Sequence, residues 1–331
     1  MAAIIELHDL TKRYGSLTAV DGLTLTIEEG AVFGFIGPNG AGKTTTMRIL
    51  TTLLRPTSGE ARIGGYPVTS NPEAVRRIIG YMPDFFGVYE DMKVWEYLDF
   101  FAACYHVPAA ERPTMIDDLL ALVDLAHKRD VYVETLSRGM KQRLCLARTL
   151  THDPQILILD EPASGLDPRA RIEMRELLRE LQRMGKTIFF SSHILSEVDD
   201  ICTSIGIIEN GRLVASGNIA EMMRRLRAHR LVSVRFVPGA AVDLSDILTW
   251  LGAEENVISA TPAADAPDRM HFDFDGDDAA LSSLLARMIA RGLPVLSFTE
   301  EQGDLEDVFL QVTRAAADTV PRSSAGADAT I

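Results

Sequence analysis

Gly37-Pro38-Asn39-Gly40-Ala41-Gly42-Lys43-Thr44 fits the spacing GxxxxGK[ST]. The apolar run 31–36 before it reads as a short buried strand, and the spacing over residues 44–54 predicts a helix after it. Glycines at these positions let the backbone turn tightly, so that successive N–H groups point inward at phosphate oxygens. The N-terminus of the following helix adds partial positive charge. Lys43 is placed to reach terminal phosphates. Thr44 offers a hydroxyl to Mg²⁺, which keeps octahedral oxygen ligation with water and phosphate. Thr45, next to it, is counted with the loop as a phosphate contact.

Working outward, Ile156-Leu157-Ile158-Leu159-Asp160-Glu161 is an apolar strand that ends in two acids. A magnesium–triphosphate site gives such a strand a reason to end this way. Asp160 would serve the metal, and Glu161 would orient or deprotonate an attacking water. Residues 155–160 and 187–191 read as buried strands, and 4–7 and 23–27 as an antiparallel edge region. Segments 204–208 and 212–215 flank Asn210-Gly211, a hairpin signal. Strands alternating with helices predict an α/β fold with a mainly parallel sheet covered by helices.

Eight of the 22 aromatic residues fall between Phe85 and Tyr105, and residues 94–105 have helical spacing. Two readings are open: the rings fill the core of a helical subdomain, or some line a groove that receives a partner's helix. From about residue 230 the pattern changes. Strands are expected at 231–237, 256–260, 269–274 and 293–299, and helices at 243–251 and 277–290 with Asp near their starts. That order, βαββαβ, predicts a small ferredoxin-like α+β domain. A last helix is expected at 305–312, and a disordered tail beyond Arg314. The expected domains are therefore 1–225, 230–313 and a tail 314–331.

Composition sets limits on function. A chain of 331 residues, 47% hydrophobic and 24% charged, is globular and long enough for two domains. No apolar run approaches the ~18 residues of a membrane span, and the N-terminus lacks the apolar stretch of a signal peptide. A net charge of −14 argues against nucleic-acid partners and against a basic membrane anchor. Cys104, Cys145 and Cys202 are scattered, without a CxxC pair, which fits a reducing cytoplasm. Any membrane role has to come through a partner.

Further motifs carry a resemblance. Leu136-Ser137-Arg138-Gly139-Met140-Lys141-Gln142-Arg143 resembles the signature motif of the ABC ATPases. Ser164-Gly165-Leu166-Asp167 resembles their D-loop, His193 their switch histidine, and Tyr14 the aromatic that stacks on adenine. Within the family the chain is most similar to ATPase subunits of daunorubicin-resistance-type exporters, which carry a comparable C-terminal domain and a phrase like Leu305-Glu306-Asp307-Val308-Phe309-Leu310. The resemblance implies ATP and Mg²⁺ as ligands. It further implies two ATPases clamped head to tail, as a homodimer, on the cytoplasmic face of the membrane beneath a separate multi-span permease. Ser137 and Gly139 would then reach the nucleotide of the facing chain, with Asp167 beside them.

Three positions depart from the family pattern. Arg138 stands where Gly is usual, and it either adds a cation near the phosphates or faces solvent. Met140 replaces Gln and is expected to pack as an ordinary helix residue. Asp84 stands where the Q-loop glutamine is expected, and it either senses the metal or serves coupling without touching it. The competing readings are a soluble ABC ATPase acting on ribosomes or nucleic acid, and a non-hydrolysing nucleotide sensor. The acidic charge opposes the first, and intact Lys43, Asp160, Glu161 and His193 oppose the second.

Overall fold

The computed structural model describes residues 2–301, apart from 86, 88, 90, 196, 197, 199, 200, 220–229, 239–243, 264, 265 and 267. The helix expected at 305–312 and the tail lie outside the described residues. The chain divides after Ile219 into two compact units.

In the first unit, β1 (Ala3–Tyr14) and β2 (Leu17–Glu28) form a long hairpin. With β4 (Ser58–Ile63) and β5 (Tyr66–Pro67) they make an antiparallel sheet of order β2-β1-β4-β5. A six-stranded sheet lies at the centre. It is built from β3 (Val32–Ile36), β6 (Ile79–Met82), β7 (Ile156–Leu159), β8 (Thr187–Ser192), β9 (Ser204–Glu209) and β10 (Arg212–Asn218), in the order β10-β9-β3-β8-β7-β6. Only the β9–β10 pairing is antiparallel, and it closes on Asn210 and Gly211, both with positive φ. Every residue of β3, β7 and β8 is buried, because parallel strands are covered on both faces and so need continuous apolar sequence. Phe189 packs against Phe33 and Phe35 at ring-centroid distances of 5.8 and 5.4 Å, knitting β8 to β3.

Helices α1 (Lys43–Leu50) and α2 (Pro72–Ile78) belong to this core. Helix α1 is shorter than the pattern over 44–54 suggests. The Thr51 hydroxyl bonds back to the Met47 carbonyl at 2.9 Å, and Thr52 adopts φ 64°, which ends the helix. A helical subdomain follows, with α3 (Val94–Cys104), α4 (Arg112–Leu122) and α5 (Arg138–Thr149). Val94, Tyr97 and Leu98 of α3 meet Ile116, Leu120 and Leu144 in one apolar cluster, as i, i+3, i+4 spacing requires. Helix α6 (Pro168–Arg183) starts on Asp167, whose carboxylate accepts the Ala170 N–H at 2.9 Å.

The second unit runs β11 (Arg230–Phe236), α7 (Leu244–Leu251), β12 (Val257–Pro262), β13 (Arg269–Phe274), α8 (Asp278–Ala290) and β14 (Val295–Glu301). Its sheet order, β12-β13-β11-β14, with every pairing antiparallel, is the ferredoxin-like arrangement. Alternate residues Val232, Val234 and Phe236, with Met270, Phe272 and Phe274, form one apolar face. Ile247 and Leu251 of α7 and Leu284 and Met288 of α8 cover it. Among the described residues no helix is long and apolar enough to cross a membrane.

Candidate active site

The site lies beyond the carboxyl ends of β3, β7 and β8, where open α/β sheets place their ligands. Leaving β3, the loop is built on glycines, two of which leave no room for a side chain. A Cβ on Gly37 would come within 2.2 Å of the Ile208 carbonyl oxygen. Gly42 has φ 109°, and its Cβ would meet the Ala19 carbonyl oxygen at 2.5 Å. Gly42→Ala therefore combines backbone strain of about 1–3 kcal/mol with a backbone collision. The expected result is a loop that no longer holds nucleotide in an otherwise folded chain, checked by ATP titration and thermal unfolding. Lys43 opens α1 and is 6% exposed. Its Nζ donates to the carbonyls of Gly37 and Pro38 at 2.6 and 3.2 Å and lies 3.4 Å from Glu161 Oε1.

β7 delivers the two acids, and their environments differ. Asp160 is 1% exposed. Its Oδ1 accepts the Ser191 hydroxyl at 2.7 Å, while Oδ2 is buried with no hydrogen-bond partner among the described residues. Burial pushes the Asp160 carboxyl above its ordinary value; the Ser191 and Thr44 hydroxyls oppose this, and the nearby Asp84 and Glu161 charges add to it. Glu161 turns the chain at φ 52°. Its N–H donates to Ser191 Oγ at 2.9 Å, and its Oε2 is hydrogen-bonded to His193 Nδ1 at 2.7 Å. Glu161 is thus held between Lys43 and His193.

A cleft of about 430 Å³ lies here, and Gly37 and Asp160 are not among the residues that line it. Pro38, Asn39, Gly40, Ala41, Gly42, Lys43, Thr44 and Thr45 line one side, Asp84, Glu161 and His193 another, and Tyr14 the rim. Tyr14 is 46% exposed, with Lys12 Nζ 5.2 Å from its ring centroid. Leu17, Ala19 and Ser164 also line the cleft and Ser191 ties Asp160 and Glu161 together. Leu17 and Ala19 carry no signal of this role in the sequence, and Ser164 stands out there only as part of the D-loop resemblance. The available signal for Ser191 was a polar pair ending an apolar strand.

Ser137, Gly139 and Asp167 are not in this cleft. They line a second hollow of about 260 Å³ formed by the starts of α5 and α6. Ser137 caps α5, its Oγ accepting the Met140 N–H at 3.3 Å, and a Cβ on Gly139 would already meet Ala170 Cβ at 3.2 Å. Met140 packs partly buried against the α3–α5 cluster, as expected. Arg138 is exposed and lines this hollow, and its Nη2 donates to the Ser164 carbonyl at 3.2 Å.

Comparison with known proteins places the chain in a family. A family model described as ABC transporter matches residues 20–164. The Nod factor export ATP-binding protein I of Ralstonia nicotianae is 34% identical over 94% of this chain and 94% of its own length. The chain belongs to the ABC transporter family. The protein of the same name from Rhizobium meliloti is 35% identical over 93% of this chain and 88% of its own. Among solved structures, an ATP-binding subunit of an ABC transporter superposes with TM-score 0.62 at 29% identity, over 75% of this chain and 99% of that one. As an ABC ATP-binding subunit, the protein binds ATP and hydrolyses it to drive transport.

Proposed function

We propose that this ABC ATPase powers export through a separate membrane-spanning permease, and that two copies close head to tail on two ATP molecules. The observation that carries the pairing is that the phosphate-loop cleft and the signature hollow of one chain share no lining residue. A sandwich of ATP between a Lys43 loop and a Ser137 surface then needs a second chain, and symmetry favours a twofold homodimer. Export rests on the relatives named for Nod factor export. The charge of −14 speaks against a nucleic-acid partner.

In this reading Tyr14 stacks on adenine, residues 37–45 cradle the phosphates, and Lys43 leaves the loop carbonyls for the terminal phosphate. The donor set suits Mg²⁺. Asp160 has an orphaned buried oxygen, Thr44 adds a hydroxyl, and Asp84 lines the same cleft. No three His, Cys, Asp or Glu side chains cluster as a metal cage among the described residues. That fits an ion held largely by water and phosphate. Bound there, Mg²⁺ would neutralise charge on the phosphate oxygens. Glu161 takes the proton of the attacking water, and His193, hydrogen-bonded to it, orients the carboxylate and faces the terminal phosphate.

The aromatic segment supplies rings both to a core and to a groove. Tyr97 is fully buried in the helical cluster. Phe101 and Tyr105 instead line a groove of about 320 Å³ with Leu53, Ile79, Tyr81 and Arg148. We assign this groove to a helix of the permease, which would hold the ATPase at the cytoplasmic face of the membrane. Strand β6 runs from Ile79 and Tyr81 in the groove towards Asp84 in the cleft, a short rigid path between the two. Replacing both Phe101 and Tyr105 with Ala is expected to release the ATPase from membranes of the producing cell. Hydrolysis by the purified chain should persist, and unchanged membrane retention would refute the groove.

Complementation tests the pairing. Lys43→Ala removes one cleft and Ser137→Arg blocks one signature surface, so each variant alone should be inactive. An equal mixture places one intact composite site in half of the dimers, recovering up to about a quarter of the wild-type rate. Absence of any recovery rejects the shared site.

A further inference from the structure

We propose that Arg138 is a positioning residue for hydrolysis, clasping the segment that leaves Glu161 to the start of the signature helix of the same chain. The inference rests on the ATPase reading of the Glu161 cleft and adds a group that does not line that cleft. Residues 161–166 form a tight turn, with the Ser164 N–H donating to the Glu161 carbonyl at 3.0 Å and the Leu166 N–H to the Ala163 carbonyl at 3.4 Å. Helix α5 holds this turn at two points. Gln142, 4% exposed, donates its side-chain N–H to the Pro162 carbonyl. Arg138, one helical turn earlier on the same face, donates Nη2 to the Ser164 carbonyl at 3.2 Å.

The seat of the guanidinium is Gly165. With φ 67° it takes a conformation that side chains resist, and a Cβ there would lie 2.3 Å from Arg138 Nη2 and 2.4 Å from Cζ. The planar group therefore lies flat on bare backbone, a contact that a lysine ammonium reproduces only as a point donor. Ser164 lines the nucleotide cleft, whereas Gly165 and Arg138 line the signature hollow. Arg138 crosses the boundary between the two surfaces. Holding Ser164 fixes the turn and, through the Ser164–Glu161 hydrogen bond, the direction in which the Glu161 carboxylate leaves β7.

A group that acts through the orientation of a base affects turnover more than ground-state binding. Steady-state hydrolysis of ATP with excess Mg²⁺ by full-length Arg138→Ala is expected to show kcat about tenfold lower, with KM within about twofold of wild type. Arg138→Lys, still a donor to the Ser164 carbonyl, should recover part of that loss. Because Arg138 is exposed, the thermal midpoint of either variant should stay within about 2 °C of wild type. Wild-type kcat in Arg138→Ala overturns the proposal, as does a loss carried by KM alone, or equal impairment of the Ala and Lys variants. Absence of Lys43-dependent hydrolysis in the unmutated protein is a different result, and it rejects the ATPase reading itself.

Discussion

Glu161→Gln is expected to lower the hydrolysis rate by about 10²–10⁴, the usual worth of a positioned general base. It should also leave ATP bound. The substitution keeps the size of the side chain while removing its basicity and its charge. In the structure that carboxylate lies 3.4 Å from Lys43 Nζ and 2.7 Å from His193 Nδ1. Neutralising it removes a negative charge from a site that must accept a polyanion, so ATP affinity should hold or rise. With turnover stopped, the proposed cross-chain contacts to ATP should persist and the dimer should accumulate. Single-turnover hydrolysis and sedimentation with ATP and Mg²⁺ measure both effects. A rate within about tenfold of wild type would assign the base elsewhere.

Lys43→Ala should weaken ATP binding by about 100-fold or more, because charge-assisted hydrogen bonds are worth about 1.5–3 kcal/mol each and every 1.4 kcal/mol is tenfold. The cation is already desolvated at 6% exposure, so its pairing with phosphate is little screened by water. Removing it also leaves Glu161 with one fewer partner, although His193 remains. Fold stability should therefore change far less than affinity. Equilibrium titration with ATP, alongside thermal unfolding, separates the two. Affinity within about threefold of wild type would remove Lys43 from the phosphate site.

Legibility in the sequence followed the range of the interactions. The loop 37–44 could be read because its function resides in its own backbone, and glycine positions report backbone demands directly. Asn210-Gly211 marked its hairpin for the same reason, both residues adopting positive φ. The alternation of Val232, Val234 and Phe236 gave β11 its buried face. Helix α1 ends before the pattern over 44–54 does because Thr51 and Thr52 end it through a side-chain back-bond and a left-handed turn, features that hydrophobic spacing does not encode. The aromatic cluster could not be divided in advance, since Tyr97 and Phe101 share a helix and only the packing of α3 against α4 and α5 buries the first completely.

By itself the sequence determined the chemistry on offer: a phosphate loop at Lys43, two acids ending an apolar strand, and a signature segment at Ser137. Those follow from which residues stand next to one another along the chain. Tertiary structure alone decided which of them meet. Parallel pairing of β8 with both β3 and β7 brings Ser191 to Asp160 and His193 to Glu161 beside the Lys43 loop. The start of α5 meanwhile faces α6 in a hollow of its own. The seat of Arg138 on Gly165 was settled at the same level, because hydrogen bonds between residues distant in the chain depend on strand order and helix docking, which local sequence does not specify.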